Sequence, residues 1–501
     1  MNRVHIEFQR VQTWLFAVPR LRAMVGANTL LGEVLRVSLP ALARKETSWR
    51  LAPGTGDYPG ASPHDPIREN DDPAADARDG LVSRDGGHFE ACFAAGAVDF
   101  AKAARALLGR ELPGLRFRIS VDEEEIGSAD VAVSKELPVL APCEWTGRGL
   151  ASKVVRQGTE SAHVSSDVSL RHEAARRSEK GNSQDLANLL LAKTALGKLP
   201  RPQTFQELAG DGYLALIHAD GNGVGAAAGS GDVERSAFFH RNRVLLRRAL
   251  CTAIDASCRD TDATPLVLLM LGGDDVLVIC RAGIAMPFVV DLCQELAGIQ
   301  HEDEGAFELT LGVGVVIARP TIPIHRLHET AERLAASAKR RFRGLPPNAG
   351  RSVVDWAVYT TSSLDDFEEA RRRDWIRGTE EDIRILSQRP VDVLGTQTDS
   401  LQGLLKASRA LEDSPRSQLR YLLEQLPRGR ALSEMAFAEL PSATRKAFPL
   451  GVWIRHGDDE NGPLMTSVLD VVDLYEIGRL GRAGIALVKD DEEEGTPHVQ
   501  G

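Results

Sequence analysis

The sequence predicts an α+β fold: two ferredoxin-like units followed by a mainly helical domain. Three observations carry this. Residues 265–280, PLVLLMLGGDDVLVIC, are two apolar runs around Gly272, Gly273, Asp274 and Asp275, the pattern of a β-hairpin whose tight turn needs glycine's tolerance of positive φ. Flanking this hairpin are an apolar strand at 213–219, a helical pattern at 234–258, another at about 286–299 and a strand at 307–318, the order of the split βαβ plan. Much the same order occupies the first 121 residues, with strands at 4–8, 88–94 and 115–121 and helices at 20–43 and 98–108.

At 501 residues and 43% hydrophobic content, the chain is long enough for three or four cores. A formal charge of -11 excludes a global basic surface for nucleic acid, so any RNA contact is local or made by a partner. The six cysteines include no CxxC pair and sit mostly in apolar runs, which suits a reducing cytosol and predicts a cytoplasmic protein. The amino terminus has no apolar signal core and no run approaches the ~18 apolar residues of a membrane span, so no membrane partner is expected.

Taken in order, residues 1–121 form the first unit, interrupted at 52–80 by a Gly-, Pro- and Asp-rich insertion expected to be mobile. His64 and Asp65 lie in it between prolines and read as a surface pair. The equivalent hairpin, SRDGGHFEACFA, has Gly86 and Gly87 followed by His88 and Phe89, without paired carboxylates. Residues 122–210 are a partly helical connector whose single cysteine, Cys143, predicts no structural zinc. Its basic cluster of Lys153, Arg156, Arg171, Arg176, Arg177 and Lys180 reads as a solvated face, with a groove for triphosphate or RNA as the alternative. Residues 211–360 hold the acidic hairpin, and 361–501 the helical domain, which ends in the acidic run 490–494.

The chemistry concentrates where three carboxylates meet strand ends. Asp220 closes the 213–219 strand, and the split βαβ plan sets that strand beside the hairpin, so Asp220 faces Asp274 and Asp275. Acids at the ends of buried strands need a counter-charge, and a divalent cation is the usual one; a solvated acidic turn is the alternative for the hairpin alone. Asp220 and Asp274 are the candidate bridging ligands, with Asp275 completing a metal or orienting its water. Gly272 and Gly273 leave room for a nucleotide against the hairpin, the Gly221 carbonyl offers a further ligand, and Asn222 offers a hydrogen bond to ribose or phosphate. Residues 220–231 fail as a calcium loop, having Val224 and Gly231 where acids are required, and the GxGxG spacing at 221–225 fails as a dinucleotide fingerprint. The second GDD, at 457–459, is followed by Glu460, Asn461, Gly462 and Pro463 and reads as a turn.

The strand ending in Asp220, the Gly272–Asp275 hairpin and the segment PIHRLHETAERLAASAKR resemble the catalytic palm of the large subunit of type III CRISPR effector complexes and, more distantly, the palm of diguanylate cyclases. The opening RVQTWLFAVPRLRAMVGANTLLGEVL also resembles that subunit's amino-terminal palm, which makes residues 1–121 a degenerate palm; an unrelated α/β domain is the alternative. The resemblance implies an enzyme of antiviral defence that joins ATP, or another nucleoside triphosphate, into cyclic or linear oligonucleotides. It implies Mg²⁺ or Mn²⁺ on Asp220, Asp274 and Asp275, and places Lys339 and Arg343 where such palms hold the β and γ phosphates. Its implied partners are guide and target RNA and small CRISPR subunits. Two alternatives remain: a non-catalytic palm scaffold in a ribonucleoprotein, and a GTP-using homodimeric cyclase.

Overall fold

The computed structural model describes residues 1–129, 141–157, 160–210, 212–259, 261, 263–300, 307–345, 351–360, 366–378, 383–455 and 462–482. The turn expected at 457–459 and the acidic run at 490–494 lie outside them. The first sheet centres on β1 (Asn2–Gln9), flanked antiparallel by β2 (His88–Ala95) and β3 (Arg116–Val121), with β4 (Glu124–Ala129) beyond β3. Its register pairs Ile6 with both Phe89 and Ile119, and all three are buried. Alternation of apolar with polar residues along β1 puts Val4, Ile6 and Phe8 on the core side. Helices α1 (Leu21–Glu33) and α2 (Ala97–Glu111) cover that side. The helix expected at 20–43 is continuous in the chain but passes through a π-helical stretch at Val34–Ser38 before Pro40.

Two expectations for this half are corrected. The 52–80 insertion is docked: Ile67 is buried, and the Asp65 and Asp71 carboxylates take the Arg247 guanidinium at 2.8 and 2.6 Å. Asp65 is therefore no surface residue. The insertion's sequence is that of a loop, and what holds it is charge pairing with a helix about 180 positions away, which no local pattern encodes. The basic connector cluster is likewise not one solvated face. Arg171, on α3 (Ser166–Glu179), is buried, donates to the Trp14 and Leu15 carbonyls at 2.9 and 3.2 Å, and stacks 4.3 Å from the Trp14 ring centroid. Gly26 on α1 permits this packing, since a Cβ there would overlap the Arg171 carbonyl.

The second sheet has the order β6-β7-β5-β8-β9, where β5 is Leu214–Gly221, β6 Leu266–Gly272, β7 Asp275–Arg281, β8 Leu311–Ala318 and β9 Val353–Tyr359; a short strand at Val391–Asp392 follows β9. The segment β8-β5-β7-β6 is the split βαβ order, antiparallel throughout. Its crossover helices are α4 (Asp232–Ser257) and α5 (Ala282–Gln300). The addition of β9, parallel to β8 through helix α6 (Ile324–Arg343), was not expected from the sequence. Every strand at the centre is covered on both faces, which is why β5 reads as a nearly unbroken apolar run. Ala215, Ile217 and Ala219 face the core shared with α4 and α5, while Leu214 and Leu216 join a core shared with α6 and the first sheet.

By length and composition α5 is long and apolar enough to cross a membrane; here Phe288, Val289, Leu292 and Leu296 fill the core between the sheet and α4. After β9 the chain is largely helical, including α7 (Leu401–Arg409) and α8 (Val468–Arg482), both packed on α5. It also forms a four-stranded sheet from two-residue strands at 376–377, 384–385, 454–455 and 464–465, too short to leave an alternation in the sequence.

Candidate active site

Strand register assembles the acids. Asp275, first residue of β7, pairs with Asp220 near the end of β5, and Asp220 pairs on its other side with Gly312 of β8. The hairpin closes between the Gly272–Asp275 pair, leaving Gly273 and Asp274 as a two-residue turn. Only Gly273 takes a positive φ, 58°; Gly272 does not, so the freedom expected of both glycines is used at one. The carboxylate of Asp274 folds back over Gly221, where a Cβ would lie 2.6 Å from its Oδ2. Gly221 thus keeps open the space in which Asp220 and Asp274 approach.

Helix α6 supplies the cation. Gly314 lets it lie against β8, since a side chain there would overlap the Ala331 carbonyl and the Ala335 nitrogen. At its last turns Lys339 crosses Gly312, which has no Cβ to obstruct it, and its ammonium pairs with Asp220 Oδ2. Arg343, one turn farther on, is exposed and makes no hydrogen bond or ion pair among the described residues. Asn222 is buried; its Nδ2 donates to Thr310 Oγ1 at 3.1 Å, and its Oδ1 is buried without a partner among the described residues.

One ammonium beside three carboxylates leaves negative charge uncompensated. Asp274 registers it: burial first, then the charges of Asp220 and Asp275, push its carboxyl up to about 6. The donors are all oxygen, the kind a hard divalent cation takes, and Asp220 and Asp274 would hold it with Asp275 adjoining. Asp275 is fixed from behind. His218, two residues before Asp220 and on the same side of β5, approaches Asp275 Oδ1 at 2.8 Å through Nε2. Burial lowers the basicity of that imidazole, but the hydrogen bond and charge of Asp275 outweigh it and leave the pKa above its usual value.

The hairpin opens onto a cavity of about 540 Å³ between the two sheets. Asp274 and Asp275 line one side, the Gly86–Gly87 turn of the first sheet the other, and Arg3, Arg10, Arg235 and Arg243 stand around it. The two turns nearly touch, a Cβ on Gly272 falling 3.7 Å from Gly86 Cα.

Residues 213–344 match the family model of the Cas10/Cmr2 second palm domain. That match covers the β5–α6 segment that carries all three acids and Lys339, so the resemblance read from the hairpin and the α6 sequence is met. Among solved structures the chain is similar to the apo Csm1–Csm4 cassette (14% identity, 96% of this chain and 70% of that one, TM-score 0.46). It is also similar to Csm1 in T. onnurineus (14%, 96% and 69%, 0.46) and to the Csm1–Csm4 cassette in complex with cA3 (13%, 96% and 69%, 0.48). No curated protein matches the chain.

Sequence reasoning named the acids, Lys339 and the glycines of the hairpin, but missed His218, Gly312, Thr310 and the cavity arginines. His218 was findable, since strand periodicity puts residue i−2 on the side of Asp220. Gly312 and Thr310 were not, because their role comes from β8 pairing with β5 across about 90 residues.

Proposed function

We propose that the chain is a metal-dependent nucleotidyltransferase of type III CRISPR antiviral defence, making linear or cyclic oligoadenylates from ATP. The observation that carries this is the placing of Asp220, Asp274 and Asp275 on adjacent strand ends, with Asp274 and Asp275 lining a nucleotide-sized cavity, within the segment that matches the Cas10/Cmr2 palm. In this reading the first sheet is a palm without metal acids, and its Gly86–Gly87 turn supplies the facing surface for a second nucleotide. The protein is cytoplasmic, and its partners are guide and target RNA and small CRISPR subunits.

Mg²⁺ or Mn²⁺ held by Asp220, Asp274 and Asp275 would lower the pKa of an attacking 3′-hydroxyl and neutralise the leaving pyrophosphate. The chain's own residues do the rest. Gly221 and Gly312 make room for the Asp274 carboxylate and the Lys339 side chain to close over the strand ends. His218 holds Asp275 in one orientation. Lys339, paired with Asp220, is the cation that can turn to the departing phosphates, with Arg343 one turn behind it. Of the cavity arginines, Arg3 is paired with Glu90 and Asp232 and Arg243 with Asp71, which leaves Arg10 and Arg235 to counter the triphosphate charge.

The test is incubation of the purified chain with each radiolabelled nucleoside triphosphate, with and without candidate RNA, and chromatography of the products. Pyrophosphate and 3′–5′ oligoadenylates that need Mg²⁺ or Mn²⁺ support the proposal. A product from GTP alone replaces it with the homodimeric cyclase, and nucleotide binding without product under any trigger replaces it with the scaffold.

A further inference from the structure

Behind Asp275 lies a second group of ligands, of a different chemical kind. His218 presents Nε2 to Asp275, so Nδ1 is the ring nitrogen left to meet a metal, which would displace any proton it carries. His218 Nδ1 is buried and has no hydrogen-bond partner among the described residues. His328, on α6, stacks against His218 with ring centroids 5.8 Å apart, and its Nε2 is likewise buried and without a partner among the described residues. Both imidazoles are more than nine-tenths buried, with side-chain exposures of 9% and 7%. Glu332 follows His328 by one helical turn, its Oε2 3.7 Å from His328 Nδ1, and is the exposed member through which solvent reaches the group. One ligand atom from each of the three residues lies within 4.8 Å of the others.

Buried imidazole nitrogens without a partner among the described residues are costly unless something binds the rings. We propose that His218, His328 and Glu332 form a site for a borderline transition-metal dication, Zn²⁺ foremost, separate from the oxygen-only site at Asp220 and Asp274. Two histidines and one glutamate are a zinc donor set with a position left for water, and Mg²⁺ has no affinity for such nitrogens. Asp275 then stands behind His218 as the carboxylate that fixes the tautomer of a metal-bound histidine. Occupancy would therefore lock Asp275 at the hairpin, tying one metal site to the geometry of the other. The proposal rests on these three residues alone and stands or falls independently of the nucleotide chemistry.

The test is titration of the full chain, stripped with EDTA and kept reduced, with Zn²⁺ in excess Mg²⁺, by calorimetry and elemental analysis, and with Co²⁺ as the spectroscopic probe. One equivalent of Zn²⁺ is expected, with a Co²⁺ spectrum of nitrogen and oxygen ligands. His328→Gln and Glu332→Gln should each weaken it at least about tenfold, while Asp274→Asn leaves it in place. His328 packs between Phe16 and His218, so its replacement can unsettle the fold; Glu332 is exposed, and Glu332→Gln decides the matter alone. No retained Zn²⁺, undiminished affinity in Glu332→Gln, or a thiolate charge-transfer band with Co²⁺ would overturn the proposal.

Discussion

At the tip of the first hairpin Gly86 and Gly87 have φ of 67° and 81°, and His88 follows, paired in register with Glu7; at the tip of the second, Gly273 has φ of 58°, and Asp275 follows, paired with Asp220. The strand pairing is alike and the charge is not. His88 is tied at Nε2 to Ser83 Oγ (3.0 Å) and at Nδ1 to the Gly86 carbonyl (3.3 Å), and burial lowers its pKa, so it stays neutral. Asp85, the nearest acid on that turn, is spent on the Arg36 guanidinium at 2.8 Å. The first turn is therefore electrostatically closed. The second gathers three carboxylates against one ammonium. The backbone plan sets two loops against one cavity, and the side chains at two or three positions decide which of them has use for a cation.

The largest effect tests that asymmetry. Asp274→Asn should lower oligonucleotide synthesis by at least about 10³-fold with an unchanged far-ultraviolet circular dichroism spectrum. His88→Asn, at the facing turn, should retain Mg²⁺ dependence; loss of metal dependence there would erase the distinction.

Next in size is the buried charge group that holds the 52–80 insertion to α4 beside the cavity. Burial would raise the Asp71 carboxyl, but Arg243, then His240 and Arg247, hold it well below the usual carboxylate range. Arg247→Met leaves Asp65 and Asp71 short of their buried partner and should cost about 3–5 kcal/mol in urea unfolding. A loss under about 1 kcal/mol would mean that the insertion is not anchored there.

The glycines separate the two turns more finely. Gly221→Ala drives a methyl against Asp274 Oδ2 and Val224 Cγ2, and should lower turnover about 10–100-fold by displacing the carboxylate. Gly87→Ala meets no atom within 4 Å, and its φ of 81° should cost only about 1–2 kcal/mol of stability, with metal binding retained.

The smallest effect is in the pH dependence. The carboxyl of Asp274 is raised to about 6, so the folded metal-free protein holds this proton more tightly than the unfolded chain does. The stability it contributes is complete below about pH 4 and is lost as pH rises through about 6. Solvent still reaches one side of the group, so the loss should be about 1–2 kcal/mol. Thermal melts should show that decline without Mg²⁺, its reversal by Mg²⁺ above pH 6, and its absence in Asp274→Asn.

What could be read from the sequence was local in origin. The hairpin, the strand ending in Asp220 and the helix carrying Lys339 follow from apolar periodicity and turn residues within one element each, so their positions survived nearly unshifted. What could not be read depended on pairing between distant elements. Arg171 looks like any surface arginine until Trp14 packs on it, and Asp65 looks like loop composition until Arg247 reaches it. Lys339 was expected at phosphates, and its salt bridge to Asp220 depends on β8 having glycine at 312 and 314, a fact of sheet packing rather than of helix pattern. The role of His218 was legible in principle from strand alternation, and its stack with His328 was not.

The most direct measurement is anomalous diffraction from crystals soaked with Mn²⁺ and a non-hydrolysable ATP analogue. The account predicts a manganese peak between the Asp220 and Asp274 carboxylates, with the analogue's phosphates beside it and no peak between Glu7 and His88. Manganese at the Glu7–His88 pair, or analogue bound with no manganese at Asp220 and Asp274, would contradict it.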